Sequence, residues 1–295
     1  MASISRRDAG KLLLAGCAGA LVPAGKLRGA TRINSVIRGV QIGAQSYSFR
    51  DLPNGDLINN FRKVGLGECE LCDFQISPAG LDGKELMKWE LQAPMSYFKD
   101  IRKKWDDGGV LPYAFTFAFR RGMTDEEIEW GFRAAQAMGM KYITSSSNVS
   151  MAPRVDKYAQ QYKITVGFHG HDQTSDPDEF STPETFARAM KGASPYIGVN
   201  LDIGHFTAAG GDAVAYITEH HAKIVTLHLK DRKKNHGANL PFGQGETPIV
   251  EVLHLLRDKG WKIPANIEYE YGKPGMDTIT EVKKCFAYCK QALES

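Results

Sequence analysis

Eight short apolar runs recur along the chain after about residue 38, and polar segments of helix-compatible length separate them. Short runs rich in Val, Ile and aromatic residues are typical of strands. The predicted strands cover residues 39–47, 67–74, 111–117, 142–145, 164–168, 197–201, 224–229 and 266–269. Strands that alternate with helices in this way usually form a parallel sheet covered by helices.

The segments between the strands carry signals for helix ends. Thr124 followed by Glu127 fits a capping box, Pro183 suits the first turn of another helix, and Gly260 suits the end of a third. The number and order of the elements predict an α/β fold, a (β/α)8 TIM barrel, as a single domain over residues 33–295.

An open, doubly wound sheet is the alternative with the same element order. Such a sheet normally carries a glycine-rich phosphate-binding turn after an early strand, whereas Gly65-Leu-Gly67 precedes its strand. The barrel is therefore the preferred architecture. Residues 76–92 are longer than a tight connection, and we expect them to form a loop that covers the carboxyl end of the barrel.

The first 32 residues have the order of an export signal or tail. Arg6 and Arg7 precede a mildly apolar stretch over residues 12–22, and small residues follow at 23–25. The paired arginines resemble a twin-arginine signal, which predicts export to the periplasm.

Other interpretations of this segment stay open. Ala9 stands where an aromatic residue is often found in twin-arginine signals, so an ordinary basic tail is an alternative. Cys17 lies in a sequence similar to a lipoprotein cleavage box, although the apolar run before it is short for a lipid anchor. Disulfide pairing among the later cysteines is undetermined.

The net charge of +3 comes from this basic segment, and the remainder of the chain is slightly acidic. A slightly acidic body does not support nucleic-acid binding, which usually needs a basic face. No later stretch approaches the ~20 apolar residues of a membrane span. A homo-oligomer is compatible with the sequence.

Polar motifs follow four consecutive predicted strands in the second half of the chain. They are His169-Gly-His171, Asp202-Ile-Gly-His205, His228-Leu-Lys230-Asp231 and Glu268-Tyr-Glu270. The carboxyl ends of successive parallel strands meet at one end of a barrel, so these imidazoles and carboxylates converge there. Convergence of such groups predicts a site for one divalent metal ion.

Residues two apart in a strand share a face, so one member of each such pair lies deeper and the other faces the substrate. The pairs are His169 with His171, His228 with Lys230, and Glu268 with Glu270. Asp202 is the natural ligand of the sixth strand, and His205 could orient a ligand or contact the substrate. Each motif alone has a simpler interpretation: a hydrogen-bonded histidine, a solvated edge strand, or a turn at Asp202-Ile-Gly. All four at one end of one sheet favour the metal site.

The same motifs resemble a known family. The resemblance rests on four segments, Leu201-Asp202-x-Gly-His205, His228-x-Lys230-Asp231, Phe242-Gly-Gln-Gly245-Glu and Ile267-Glu268-Tyr-Glu. Together they are similar to the xylose-isomerase-like TIM-barrel family of sugar isomerases and epimerases. The resemblance spans residues 37–292.

This resemblance implies one divalent metal ion held by Glu, Asp, His and Glu from strands five to eight. Asp202, His228 and Glu268 match the last three ligands. His169 stands where many relatives have the first glutamate, so it is expected to be a nitrogen ligand. The donor mixture is compatible with Mn, Co, Zn, Fe or Mg.

The chemistry expected at such a site is proton transfer beside a carbonyl through an enediolate. Glu268, Glu270 and His171 are candidate acids and bases. Lys230 either holds a substrate oxyanion or forms a salt bridge to Asp231. Glu70 resembles a residue that contacts substrate in relatives, with a purely structural role as the alternative.

The resemblance implies a small-molecule carbohydrate substrate as the partner. The leading hypothesis is a metal-dependent sugar isomerase or epimerase. A lyase that dehydrates a keto-sugar or cleaves a keto-glycoside by β-elimination is the close alternative, because His169 removes one of two paired carboxylates. A barrel that binds sugar without turnover is the alternative from another class. A metal-dependent endonuclease is disfavoured by the acidic body of the chain.

Overall fold

A computed structural model describes residues 31–81 and 83–295, in which eight parallel strands close into a ring. The strands are β1 (Val40–Gln45), β2 (Glu68–Cys72), β3 (Leu111–Thr116), β4 (Tyr142–Ser146), β5 (Thr165–His169), β6 (Ile197–Asp202), β7 (Ile224–Leu229) and β8 (Ala265–Ile267). Each strand pairs with the next, and β8 pairs with β1. The predicted single-domain TIM barrel and its eight strands are confirmed.

Helices cover the outside of the barrel. They are α1 (Leu57–Val64), α2 (Gly83–Gln92), α3 (Met95–Asp107), α4 (Asp125–Ala137), α5 (Ala152–Tyr162), α6 (Pro183–Met190), α7 (Ile203–Ala208), α8 (Ala213–His220), α9 (Ile249–Lys259) and α10 (Thr278–Glu294). Two helices follow β2 and two follow β6. Elsewhere one helix separates successive strands, from β1 to β2, from β3 to β6 and from β7 to β8.

Helix α2 corrects the expectation for residues 76–92. The segment contains a helix and not a continuous loop, because its residues from Lys84 onward are mostly strong helix formers. The predicted helix ends are found elsewhere. Thr124 and Glu127 form the expected capping box at α4, Pro183 begins α6, and Gly260 ends α9 in the left-handed conformation at φ 66°.

The strands alternate between an apolar outer face and an inner face that is polar near the site. Leu71, Phe115 and Phe168 are fully buried in the core outside the barrel. Glu70 and Asn266 lie inside it, also fully buried, and are joined by a 3.2 Å hydrogen bond from Asn266 Nδ2 to Glu70 Oε2. The interior is therefore a polar cage rather than a set of aliphatic layers.

The amino-terminal end of the barrel is covered by the first described residues. The strand Val36–Ile37 pairs antiparallel with β1. Ser35 Oγ accepts a hydrogen bond from Gly67 N at 2.9 Å, and Ile33 N donates to Gly109 O at 2.9 Å. These contacts place the segment under the starts of β1, β2 and β3.

The proposed export segment lies almost wholly outside the described residues, and the predictions for Arg6, Arg7 and Cys17 are untested. Within residues 31–81 and 83–295, every helix is too short or too polar to cross a bilayer. The cysteines of the described chain are buried free thiols and form no disulfide there: Cys69, Cys72, Cys285 and Cys289.

Candidate functional site

The carboxyl ends of β5 to β8 bring four ligand-type side chains to one point. Each of them offers one atom, and these atoms all lie within 4.8 Å of one another. All four side chains are buried. The residues are His169, Asp202, His228 and Glu268, the set that the sequence predicts as metal ligands.

Parallel register and one glycine produce this convergence. Asp202 and His228 are direct neighbours across β6 and β7. At Gly170, an added Cβ would lie 2.9 Å from Phe186 Cζ and 3.0 Å from Phe180 O. Glycine therefore allows the end of β5 to pack against the segment that leads into α6, with a histidine on either side of it.

His169 supplies the strongest indication that the cluster fits a cation. Its Nδ1 is buried and has no hydrogen-bond partner among the described residues. Burial, reinforced by the neighbouring His228 and His171, lowers the pKa of His169 well below its ordinary value. The ring is therefore neutral and keeps a lone pair, which is the form that binds a metal ion.

His228 is held between two carboxylates. Its Nε2 lies 2.9 Å from Glu70 Oε1, and its Nδ1 lies 3.0 Å from Glu268 Oε2. Burial alone would lower the pKa of His228, but the charges of Glu70 and Glu268 outweigh burial and raise it. The raised pKa keeps both nitrogens protonated without an ion, so an ion at the cluster would have to displace the proton on Nδ1. Glu70 on Nε2 would then fix the tautomer and the ring orientation, as a carboxylate on the far nitrogen of a metal-ligating histidine usually does.

Glu70 lies behind His228 at the centre of the barrel. Its Oε1 also accepts hydrogen bonds from Gln45 Nε2 at 2.9 Å, Thr144 Oγ1 at 2.6 Å and Asn200 Nδ2 at 3.2 Å. These donors hold the carboxylate in one position. The geometry favours a positioning role for Glu70, and the substrate contact implied by the resemblance stays a prediction.

Lys230 is buried among three carboxylates. Its Nζ lies 2.9 Å from Asp202 Oδ2, 2.9 Å from Glu268 Oε2 and 2.7 Å from Glu270 Oε2. Burial would lower the pKa of Lys230, but these carboxylates raise it above its ordinary value, so the ammonium stays charged. Lys230 therefore balances the negative charge on this side of the site.

The alternative salt bridge from Lys230 to Asp231 is wrong. Asp231 points the other way and accepts hydrogen bonds from the backbone amides of Gly243 at 2.8 Å and Gly245 at 2.9 Å. These bonds use the carboxylate to shape the Phe242-Gly-Gln-Gly245 segment. Successive residues of a strand point to opposite faces, which separates Lys230 from Asp231.

His171 lies above the cluster and is oriented by a residue that the sequence did not indicate. Its Nδ1 lies 2.8 Å from Glu179 Oε1, and its Nε2 lies 3.5 Å from Ser146 Oγ in the same cavity. Glu179 is positioned by a β-bridge to Asn148. A carboxylate on Nδ1 orients the ring and leaves Nε2 facing the cavity, an arrangement in which an imidazole can exchange protons with a ligand.

His205 connects the site to a second charged group. Its Nε2 lies 3.0 Å from Lys230 Nζ, and its Nδ1 lies 2.6 Å from Arg232 Nη1. Asp172 Oδ1 lies 2.9 Å from Arg232 Nη1. Hydrogen bonding to His205, followed by Arg232, lowers the pKa of Asp172 below its ordinary value. Asp172 and Arg232 are further residues that sequence reasoning missed.

A cavity of about 340 Å³ opens above the cluster, within the range of small-ligand sites. Three residues of the cluster line it, namely His169, His228 and Glu268. Glu270 and the His171 imidazole line it as well. The arrangement can bind a cation deep in the barrel and can exchange protons with a small molecule above it. The remaining predicted site residues that line the cavity are Glu70, His205 and Lys230.

Comparison with known proteins gives a family and a fold. The profile of a family described as "Xylose isomerase-like TIM barrel" matches residues 126–289, more than half of the chain. The L-ribulose-5-phosphate 3-epimerase UlaE of Escherichia coli is 28% identical over 97 residues, which cover 33% of this chain and 34% of UlaE. The chain matches 42% and 34% of the lengths of the first two curated relatives.

Two solved structures have the same fold at low identity. A sugar phosphate isomerase/epimerase of Parabacteroides distasonis is 17% identical with a TM-score of 0.63, over 90% of this chain and 99% of that chain. The probable 3-DHS dehydratase AsbF of Bacillus anthracis is 13% identical with a TM-score of 0.64, over 84% and 99%.

Proposed function

Because this chain belongs to the xylose isomerase-like TIM barrel family, we propose that it is a metal-dependent sugar isomerase or epimerase. The proposed reaction moves a proton beside a carbonyl group of a sugar through an enediolate. The family membership supports an enzyme of the isomerase and epimerase kind, and the reaction itself rests on the site.

One observation carries the proposal: two candidate acid–base groups, which follow two different strands, line the cavity above the ligand cluster. His171 follows β5 and is held by Glu179, and Glu270 follows β8 and is held by Lys230. A proton that one group removes from carbon can therefore be returned at another carbon, or on the other face, by the other group.

The cluster would supply the electrophile. His169, Asp202, His228 and Glu268 would hold one divalent ion, and such an ion would polarise a carbonyl oxygen and stabilise the negative charge left when the adjacent C–H is lost. The chain's own contribution is to keep His169 neutral and to fix the His228 ring against Glu70.

The charged groups around the cavity have separate roles in this mechanism. Glu270 or His171 removes the proton from the carbon beside the carbonyl. The Lys230 ammonium stabilises the oxyanion that develops, and Glu268 keeps Lys230 in place through their 2.9 Å contact. His205 orients Lys230 from the other side at 3.0 Å.

A lyase is the second candidate, and His169 is the observation that favours it. A nitrogen at this position leaves the cluster with carboxylates from Asp202 and Glu268 only. Removal of a C–H proton by Glu270, with protonation of a leaving oxygen by His171, breaks the neighbouring C–O bond and gives an unsaturated ketone. The dehydratase named above has the same fold, which agrees with elimination on such a barrel.

Product analysis in deuterated water tests the proposal. The metal-loaded protein is incubated with a panel of aldoses, ketoses and keto-sugars. An isomerase or epimerase gives an isobaric sugar apart from deuterium incorporated at carbon, whereas a lyase gives a product that has lost water or an alcohol. If no product forms with Mn, Co, Zn, Fe or Mg, the remaining hypothesis is a barrel that binds sugar without turnover.

Glu179 provides a variant that isolates the acid–base pair. Glu179→Gln keeps the size of the side chain and removes the charge behind His171, so turnover is expected to fall toward that of His171→Gln, about 10²-fold or more below the unmodified protein. Metal content is expected to be unchanged in both. Full activity in His171→Gln would exclude His171 as the acid or base, and full activity in Glu179→Gln alone would show that the charge behind His171 is not required.

We also propose that residues 1–32 direct export through the twin-arginine route, which Arg6 and Arg7 support. The test is fractionation of cells that make the full chain or the double variant Arg6→Lys, Arg7→Lys. The double variant is expected to remain in the cytoplasm. Export of both proteins would refute the twin-arginine assignment, and loss of membrane association in Cys17→Ala would indicate a lipid anchor.

A further inference from the structure

Two exposed aromatic side chains stand together at the mouth of the cavity. Tyr47 and Phe74 each expose 36% of their surface, their ring centroids are 6.2 Å apart, and both line the cavity. Among the described residues, the other large apolar side chain with such exposure is Val36, near the opposite end of the barrel. Exposed aromatic surface concentrated at a cavity mouth usually marks a binding surface.

The two rings are fixed rather than loosely attached. Each lies in a short 3-10 turn, Ser46–Phe49 after β1 and Asp73–Gln75 after β2. The turns are joined because Gln75 Nε2 donates to Ser46 O at 3.1 Å. The Arg50 guanidinium lies over the Tyr47 ring, 4.4 Å from its centroid.

Polar groups flank the aromatic pair. Asp73 and Arg120 line the same cavity beside the two rings. The Arg120 guanidinium makes no ion pair with any residue that the structure describes, and the Tyr47 hydroxyl has no hydrogen-bond partner there. A carboxylate, a guanidinium and a phenol beside an aromatic surface suit a ligand with one apolar face and many hydroxyl groups.

The charge of the cavity argues against a phosphate group in this place. Lys230 and Arg120 are the Lys and Arg side chains among the described lining residues, and Lys230 already contacts three carboxylates. Asp73 lines the same part of the cavity as Arg120, so its carboxylate offsets the attraction of the single guanidinium for a phosphate dianion. The outer half of the cavity therefore favours a neutral, hydroxylated group.

We propose that Tyr47 and Phe74 form an outer subsite for the second ring of an unphosphorylated glycoside. The first ring then lies above the ligand cluster, and the C–H face of the second ring packs on the aromatic pair. Asp73 and Arg120 bind its hydroxyl groups. This inference rests on the proposed sugar chemistry of the cavity and narrows the substrate class to glycosides of two or more rings.

Saturation-transfer NMR titrations of the full chain, loaded with diamagnetic Zn²⁺, test the subsite without requiring turnover. The probes are D-glucose, glucose 6-phosphate, cellobiose, maltose, sophorose and trehalose. At least one disaccharide is expected to bind more tightly than glucose, with saturation on both rings. Glucose 6-phosphate is expected to bind no more tightly than glucose.

Substitutions then test whether the second sugar ring contacts Tyr47 and Phe74. Tyr47→Ala and Phe74→Ala are each expected to weaken disaccharide binding about three- to tenfold and to leave glucose binding unchanged. Val36→Ala, with similar exposure near the other end of the barrel, is the matched control and should change neither value.

Two results would overturn the subsite. One is a panel in which no disaccharide exceeds glucose, and the other is disaccharide binding that neither Ala variant weakens. Failure of the deuterium experiment has a different meaning, since second-ring contacts that persist without any turnover would refute the proposed reaction and leave the subsite in place.

Discussion

Glu70 Oε1 lies 2.9 Å from His228 Nε2, inside the barrel and on the side of the imidazole away from Glu268. The contact joins β2 to β7 across the polar cage. It fixes which nitrogen of His228 faces the ligand cluster, and this makes Glu70 a positioning residue for a proposed metal ligand.

Glu70→Gln should therefore weaken metal binding without removing a ligand. The amide keeps the volume but loses the charge that orients His228, so the affinity for Zn²⁺ is expected to fall about 10- to 100-fold. Competition with a chromophoric chelator measures it. Glu68→Gln is the matched control, because Glu68 is also buried on β2 but forms neither a hydrogen bond nor an ion pair with His228. Equal affinities in the two variants would contradict the positioning role.

His169 should set the preference for a metal. With His169 the cluster offers two nitrogens and two carboxylates, which suits Zn, Fe or Co better than Mg. His169→Glu should strengthen binding of Mg²⁺ and Mn²⁺ relative to Zn²⁺, and His169→Ala should lose metal. Metal content and calorimetric titration measure both effects. His236→Ala, an exposed histidine, should behave like the unmodified protein, and unchanged occupancy in His169→Ala would refute His169 as a ligand.

Lys230 should separate metal binding from turnover. Lys230→Met removes a cation that lies 2.9 Å from carboxylates of both Asp202 and Glu268, so metal affinity should rise. Without metal, the buried carboxylates lose their partner, and the free energy of unfolding should fall by about 3–5 kcal/mol. Turnover of the loaded protein should fall about 10²- to 10³-fold.

Chemical denaturation with and without EDTA measures the stability change for Lys230→Met. Lys223→Met, at an exposed position just before β7, is the control and should change neither property. A Lys230→Met protein that is as stable as the unmodified chain in EDTA would show that the ion pairs contribute little.

Glu68 should make stability depend on pH. Burial, followed by the charge of Glu70, raises the pKa of Glu68 from an ordinary 4.5 to about 8. The folded state therefore favours the protonated form, and this stabilisation is complete below pH 4.5 and is lost as pH rises toward 8. The loss is on the order of 1.4 kcal/mol for each pH unit in that window.

Denaturation of Glu68→Gln between pH 4 and pH 9 measures this effect. The amide cannot ionise, so the variant should match the unmodified protein at pH 4 and exceed its stability at pH 8. The same pH dependence in both proteins would show that Glu68 is not the group responsible.

The barrel and the ligand cluster could be predicted from the sequence, because both follow from the period of the strands and their parallel order. A strand of period two places His228 and Lys230 on one face, and parallel order places the ends of β5 to β8 together. The motif positions therefore determine the geometry of the cluster without any knowledge of the loops.

The residues that position the site were harder to predict from the sequence, because contacts between distant parts of the chain bring them there. Glu179 lies in a connection, and two backbone contacts bring it to His171: its bridge to Asn148 and the 2.8 Å hydrogen bond from His171 N to Phe180 O. The cage around Glu70 combines side chains from several strands, although the inward position of Gln45 on β1 was a signal that could have been used. The direction of Lys230 likewise depends on which carboxylates surround it.

The two carboxylate oxygens of Asp202 make different contacts, and this affects how substitutions of Asp202 are interpreted. Oδ1 accepts the amide hydrogen of His205 at 2.7 Å and caps α7, whereas Oδ2 lies 2.9 Å from Lys230 Nζ. Asp202→Ala removes both functions and about 1 kcal/mol of capping with them. Asp202→Asn keeps the cap and loses the charge, so comparison of the two variants separates the capping of α7 from the contact with Lys230 and from the proposed metal binding.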